Sequence, residues 1–200
     1  MVEQIPSPDP IGGQTPPRPD FAGPAPGAKT RPELLAFLDN LGLNHETVDH
    51  PAFFTVDEGR SHKASMPGGH SKNLFLKDKK GGLCLVVAWC DTKADLPALG
   101  KALGAKGRYS FGKPDLMTQT LGVAPGAVTP FTLINETAKA LNIVVLDEAL
   151  MAFERVWFHP LQNTASTAIA PSDLVKFIEA CGFVPRLFDL TQPIQIVDAL

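Results

Sequence analysis

The chain has 200 residues, 44% of them hydrophobic, and a formal net charge of -3. That length supplies one domain with a sizeable core and is short for two. The acidic balance excludes a broad electrostatic footprint for a nucleic-acid duplex, but leaves room for a local basic site at a cleft.

No apolar run reaches the roughly 18–20 residues of a membrane span. The opening "MVEQIPSPDP" has neither a basic start nor an apolar stretch, so no secretory signal is expected. Cys84, Cys90 and Cys181 are odd in number and irregular in spacing, with no C-x-x-C pair. A disulfide framework or zinc knuckle is therefore not expected. The composition points to a cytoplasmic protein with reduced thiols and no membrane partner.

Residues 1–30 hold eight prolines and four glycines, too little apolar surface to offset chain entropy, and read as a disordered tail. The domain is expected over 31–200. "TRPELLAFLDNLGL" predicts a helix, with Pro32 in its first turn and Gly42 past its end. "NHETVDHP" reads as a short strand, and "TVDEGRSHKA" as a short helix opened by Thr55 and Glu58 in capping-box spacing. "KNLFLKD", "KKGG" and "LCLVVAW" form a hairpin apolar on both faces, which belongs in a sheet centre. "DLPALGKALG" and "KPDLMTQTLG" read as helices ending at Gly104 and Gly122. A Gly/Pro loop, "GVAPGAVTP", follows. Strands are expected at "FTLIN", "NIVVLDEAL", "ERVWFHP" and "STAIA". "PSDLVKFIEACG" predicts a helix and "FVPRLFDL" a last strand. "TQPIQIVDAL" is ambiguous. The fold class is α/β (α+β): one mixed, mostly antiparallel sheet flanked by helices.

The usual chemical signatures are missing. The three cysteines lie in apolar or helix-C-terminal settings that disfavour a thiolate, and no G-x-S-x-G elbow is present. The five histidines show no H-x-x-x-H pair, so no metal is expected, and "GGHSK" departs from a phosphate loop, so no nucleotide cofactor is expected either. Three features stand out. Lys72, with Asn73 beside it, heads a strand face it shares with Leu74 and Leu76. The loop Gly122–Pro130 exposes backbone donors. His159 ends an apolar strand and is followed at once by Asn163, Thr164 and Ser166.

In order and spacing, "HPAFFTVDE", "KNLFLKD", "GVAPGAVTPF" and "FHPLQNTASTAI" resemble the prolyl-tRNA synthetase editing domains and their free-standing YbaK-like relatives, most closely the alanyl-tRNA(Pro) deacylases of PrdX/ProX type. The resemblance covers roughly residues 31–190. It implies hydrolysis in trans of the ester in alanyl-tRNA(Pro), a substrate that arises because a pocket built for proline rejects the smaller alanine poorly. By the same resemblance, Lys72 matches a lysine needed for activity and Asn73 its neighbour. Gly126, Ala127, Val128, Thr129 and Pro130 match a G-x-x-x-P loop, and His159 a histidine beside the aminoacyl pocket. The acceptor end of tRNA is the implied partner, with prolyl-tRNA synthetase as a further one; a monomer is favoured.

On this reading the Gly126–Pro130 loop supplies donors to the tetrahedral oxyanion. Lys72 supplies a cation near that oxyanion or the terminal phosphate, with a general-base role left open. His159, Phe53, Phe54 and Phe131 wall a side-chain pocket that Asn163 helps to line, and water is the attacking group. Lys63, Lys77, Lys79, Lys80 and Lys113 are candidate phosphate contacts. A cysteinyl-tRNA(Pro) deacylase and a non-catalytic tRNA-binding module are the competing readings.

Overall fold

The computed structural model describes residues 25–52 and 65–192. The expected helix over 55–64, Phe53, Phe54, Lys63 and most of the ambiguous C-terminal segment lie outside the described residues. So does most of the proline-rich segment. Its last six residues are placed against the domain: the Ala25 amide donates to Gly122 O at 3.0 Å and the Lys29 amide to Asn135 Oδ1 at 2.7 Å.

Eight strands form one sheet: β1 (His45–Asp49), β2 (Gly69–Lys77), β3 (Leu83–Trp89), β4 (Ser110–Phe111), β5 (Ile143–Asp147), β6 (Val156–Phe158), β7 (Ala165–Ile169) and β8 (Arg186–Phe188). Their order is β1-β7-β6-β2-β3-β5-β8, with β4 also on β2. Pairs β1–β7, β2–β3, β2–β4 and β6–β7 are antiparallel, whereas β2–β6, β3–β5 and β5–β8 are parallel. The helices are α1 (Arg31–Asn40), α2 (Leu96–Ala102), α3 (Pro114–Leu121), α4 (Glu148–Met151) and α5 (Pro171–Ala180). The β2–β3 hairpin lies mid-sheet, as its two apolar faces require. Among the described residues, no helix is long and apolar enough to cross a membrane.

Those two faces feed two cores. Phe75, Leu85, Val87 and Leu146 pack with Leu34 and Leu38 of α1, Leu121 of α3 and Phe177 of α5. The alternate residues Leu76, Cys84, Val86, Ala88 and Val145 pack with Leu99 of α2 and with Leu103. Burying each leucine, valine or phenylalanine side chain contributes about 1.5–3 kcal/mol, and the strand period of two dictates which core it joins.

Two expected strands differ. "FTLIN" is a 3-10 turn, Pro130–Ile134, because Pro130 lacks an N–H and Thr129 gathers the next ones: its Oγ1 accepts from the Phe131 amide at 3.3 Å, and its carbonyl from the Thr132 hydroxyl at 2.7 Å. The strand in "NIVVLDEAL" stops at Asp147, whose carboxylate accepts the Ala149 amide at 3.2 Å and starts α4.

Asp78 closes the β2–β3 hairpin. Its carboxylate accepts amides from Lys106, Gly82 and Lys80, each at 2.8 Å. These bonds, that from Lys106 foremost, hold its pKa below the usual carboxylate value. A depressed folded-state pKa contributes stability that is present above the unfolded value, about 3.9, and lost as pH falls through the folded one. Asp78→Asn is therefore expected to be less stable than the parent at pH 7, with the gap narrowing below about pH 4. Urea unfolding across that range checks this; a gap independent of pH would contradict it.

Candidate active site at an unpaired stretch of strand β2

Strand β2 is paired with β3 along the whole of Ser71–Lys77. On its other edge, Gly69 and His70 pair with β6, while Leu76 and Lys77 pair with β4. Between them, Ser71–Leu74 have no strand partner on that edge among the described residues. This gap lies where the sequence sets Lys72 and Asn73. The preceding glycines bring the strand head in close. A Cβ on Gly68, which has φ +127, would lie 2.7 Å from the Arg155 carbonyl oxygen; one on Gly69 would lie 2.6 Å from the Phe153 ring. "GGHSK" is a packing device, not a phosphate cradle.

Strand alternation sends Lys72 and Asn73 to opposite sides. Lys72 sits above Leu74 and Leu76 on the α2 side, and its Nζ donates to the backbone carbonyls of Cys90 (3.2 Å) and Thr92. Asn73 faces the main core, and its Nδ2 donates to Val128 O at 2.9 Å and to Ser71 Oγ at 3.3 Å. The Gly/Pro loop therefore docks on the Asn73 side and meets β2 through Val128. Gly126 has φ +90, and the Ala127 amide is turned inward onto Ala124 O at 3.1 Å. Thr129 and Pro130 are buried. Phe131 is fully buried between Phe158 and Phe177, at ring distances of 5.7 and 5.3 Å. That packing makes Phe131 a side chain of the main core.

His159 is half-buried, with Nδ1 2.8 Å from Ala165 O. Alternation from the His70–Trp157 pair carries it to the same side of the sheet as Lys72. Its ring lies 5.8 Å from that of His50, whose Nε2 is 2.9 Å from Ser166 Oγ. Two residues on, Leu161 has φ +63. Asn163 is buried. Among the described residues, Asn163 Nδ2 and Asn73 Oδ1 are the buried side-chain polar atoms without a hydrogen-bond partner. A buried amide atom without a partner costs about 1–3 kcal/mol, so the arrangement asks for an acceptor at Asn163 Nδ2 and a donor at Asn73 Oδ1.

Sequence reasoning did not reach His50, Thr92 or Asp147. Asp147 is fully buried, and its Oδ2 accepts the Thr92 hydroxyl at 2.6 Å and the Trp89 amide at 3.1 Å. It carries the same signal as Lys72, a charge at one end of an apolar strand row, but the sequence pattern makes it part of a longer strand. Burial pushes the thiols of Cys84 and Cys181 up to about 12, which fits their reading as structural. Among the described residues, no three His, Cys, Asp or Glu side chains gather to hold a metal ion. Lys77, Lys79, Lys80 and Lys113 are exposed; the first three lie at the end of β2 remote from Lys72.

The sequence model of the aminoacyl-tRNA editing domain matches residues 50–177, which span the gap, the loop and His159. This chain belongs to the aminoacyl-tRNA editing domain family. The mouse (Mus musculus) prolyl-tRNA synthetase associated domain-containing protein 1 is 37% identical over 167 residues, covering 82% of this chain and 98% of the relative. The prolyl-tRNA editing protein ProX of Acetoanaerobium sticklandii is 33% identical over 158 residues, 78% of this chain and 95% of its own. A solved structure described as a candidate trans-editing enzyme for prolyl tRNA synthetase shares the editing-domain fold. Its TM-score is 0.63 at 20% identity, over 82% of this chain and 98% of that one. The expected family and the α/β single-sheet fold are both met.

Gly68→Ala tests the close approach that sets the strand head in this editing domain. With its positive φ and a backbone carbonyl in the way, it should destabilise the fold by about 1–3 kcal/mol in denaturant unfolding. An unchanged midpoint would show that the strand head shifts freely.

Proposed function

We propose that this chain hydrolyses, in trans, the ester of mischarged tRNA(Pro), with alanyl-tRNA(Pro) as its substrate. The observation that carries this reading is the pair of unpartnered amide atoms, Asn73 Oδ1 and Asn163 Nδ2, on the segments that also hold Lys72 and His159. An aminoacyl ester offers matching groups. Its α-ammonium donates, suiting Asn73 Oδ1; its carbonyl or the neighbouring ribose hydroxyl accepts, suiting Asn163 Nδ2. The family to which the chain belongs, and a relative named as a prolyl-tRNA editing protein, support the same substrate class.

Water attacks the carbonyl carbon, oriented by the ribose hydroxyl next to the ester. The tetrahedral oxyanion forms, the carbon–ribose oxygen bond breaks, and the ribose oxygen leaves with a proton, releasing free alanine. Lys72 spends two N–H bonds on the carbonyls of Cys90 and Thr92. The third N–H is left for the developing negative charge or the terminal phosphate, a donor's role rather than a base's. With the Ala127 amide turned inward, the amides of Gly126, Val128 and Thr129 are the proposed loop donors. His159, beside His50, borders the side-chain pocket. The exposed lysines near the β2–β3 turn are the proposed phosphate contacts, and prolyl-tRNA synthetase, source of the mischarged substrate, is the proposed cytoplasmic partner.

The test is deacylation of tRNA(Pro) charged separately with alanine, cysteine, serine and proline. Alanyl-tRNA(Pro) should be hydrolysed and prolyl-tRNA(Pro) spared. Faster loss of cysteine would assign the cysteinyl substrate, and binding without turnover would assign a binding module. Lys72→Ala should lower kcat by about 100-fold or more while melting like the parent; a trapped acyl-enzyme would overturn the water mechanism. His159→Ala should change the ranking of the four amino acids more than it changes Tm.

A further inference from the structure

Lys72 is held by backbone carbonyls, so what fixes those carbonyls fixes the ammonium. They belong to the turn that leaves β3, Trp89–Thr92. The turn is closed by the Thr92 amide on Trp89 O at 3.1 Å and tied to the head of β2 by the Cys90 amide on His70 O at 2.8 Å. A further anchor is Asp147, at the end of β5 and fully buried. A buried carboxylate is tolerated only when donors surround it. Here one oxygen takes both the Trp89 amide and the Thr92 hydroxyl, and the other takes the Ala149 amide. The two tasks are thus divided between the two oxygens: Oδ1 caps α4, and Oδ2 holds the turn. Thr92, itself 2% exposed, donates its side chain to Asp147 and lends its carbonyl to Lys72. Lys72 and Asp147 form no ion pair; Thr92 stands between them.

We propose that Asp147 is a positioning residue for the editing reaction: through the hydroxyl and carbonyl of Thr92, it sets where the Lys72 ammonium points. The inference rests on the reading of Lys72 as the cation that serves the ester. Its physical content is that a hydrogen-bonded chain, buried carboxylate to hydroxyl to carbonyl to ammonium, removes the freedom of a long side chain before substrate arrives. A misplacement of about 1 Å in such a group can cost about 100-fold in rate.

Asp147→Asn keeps the size and the cap oxygen but places an NH2 against the Trp89 amide. Thr92→Val removes the hydroxyl and keeps the carbonyl, and Thr92→Ser restores the hydroxyl. With alanyl-tRNA(Pro), kcat/KM should fall about 10- to 100-fold in Asp147→Asn and Thr92→Val, and return to within about threefold of the parent in Thr92→Ser. In a Lys72→Ala background, Thr92→Val should cause no further loss, because its effect passes through the missing ammonium. Full additivity there, or parental kcat/KM in a folded Thr92→Val, overturns the proposal. A second readout does not depend on activity: the Lys72 side-chain resonances, in protein labelled with 13C and 15N lysine, should shift and sharpen in Thr92→Val as the ammonium is released. Unchanged resonances in both Thr92→Val and Asp147→Asn overturn the positioning role. Parental activity in Lys72→Ala would instead remove the reading of Lys72, leaving the resonances to decide the clamp alone.

Discussion

Strand β2 has to satisfy three neighbours at once, and the stretch where it cannot is the stretch on which the proposed mechanism rests. Its head runs parallel to β6, its tail antiparallel to β4, and its whole length from Ser71 lies along β3. A strand edge without a partner leaves backbone groups open, and proteins normally cover or blunt such edges. Here the cover on the core side is a side chain and a loop: Asn73 reaches out to the carbonyl of Val128. The loop is thereby fixed to the strand without filling the gap with another strand. The glycines at 68 and 69 make this possible, since any Cβ there would push β2 away from Arg155 and Phe153.

The alternation of a strand then divides the labour. Neighbouring residues cannot face the same way, so Lys72 and Asn73 address the gap from opposite sides. The cation and the amide flank the open edge, Lys72 held by the carbonyls of Cys90 and Thr92 and Asn73 by the carbonyl of Val128. Tying an ammonium to two carbonyls leaves a single N–H for a substrate and gives it a direction, which a lysine on open surface lacks. Catalysis by preorganised charge depends on that loss of freedom having been met during folding.

Much of this was legible in the sequence, for reasons that can be named. The hairpin and the sheet-centre position of β2 and β3 follow from strands apolar on both faces, α1 and α5 from a proline near the first turn, and α2 and α3 from the glycines that end them. Lys72 stood out because a charge interrupted an apolar row. The same rule applied to Asp147 exposes it, but in "NIVVLDEAL" apolar residues resume after Asp147 and Glu148, and the run reads as one strand. What ends the strand is a side-chain hydrogen bond to the Ala149 amide, and side-chain capping is invisible to hydrophobic periodicity. "FTLIN" failed for a related reason: its β-forming composition is overridden by Thr129 and Pro130, which turn the chain before a strand can start. The motif places Phe131 at a side-chain pocket, and packing gives its ring a second task between Phe158 and Phe177. The partner of His50 across the β1–β7 pair, Ser166, lies 116 residues away, and nothing local announces it.

The segment after His159 shows most directly that stability was not the sole constraint. Leu161 adopts a left-handed conformation, at about 1–3 kcal/mol for a residue with a Cβ, although its side chain is well packed in the core. Two residues later, Asn163 buries an amide with no acceptor. A sequence chosen for stability alone would place glycine at the first position and an apolar residue at the second. Both costs fall within five residues of one histidine, and both are tolerated because the turn is anchored at its two ends by the buried Phe158 and Ala165. Strain and an orphaned donor in the same turn are explained together if the turn is shaped around a group that arrives from outside. The unpartnered acceptor on Asn73 places the complementary demand on β2. Folding thus leaves one donor and one acceptor unmet, on two segments that strand pairing brings side by side.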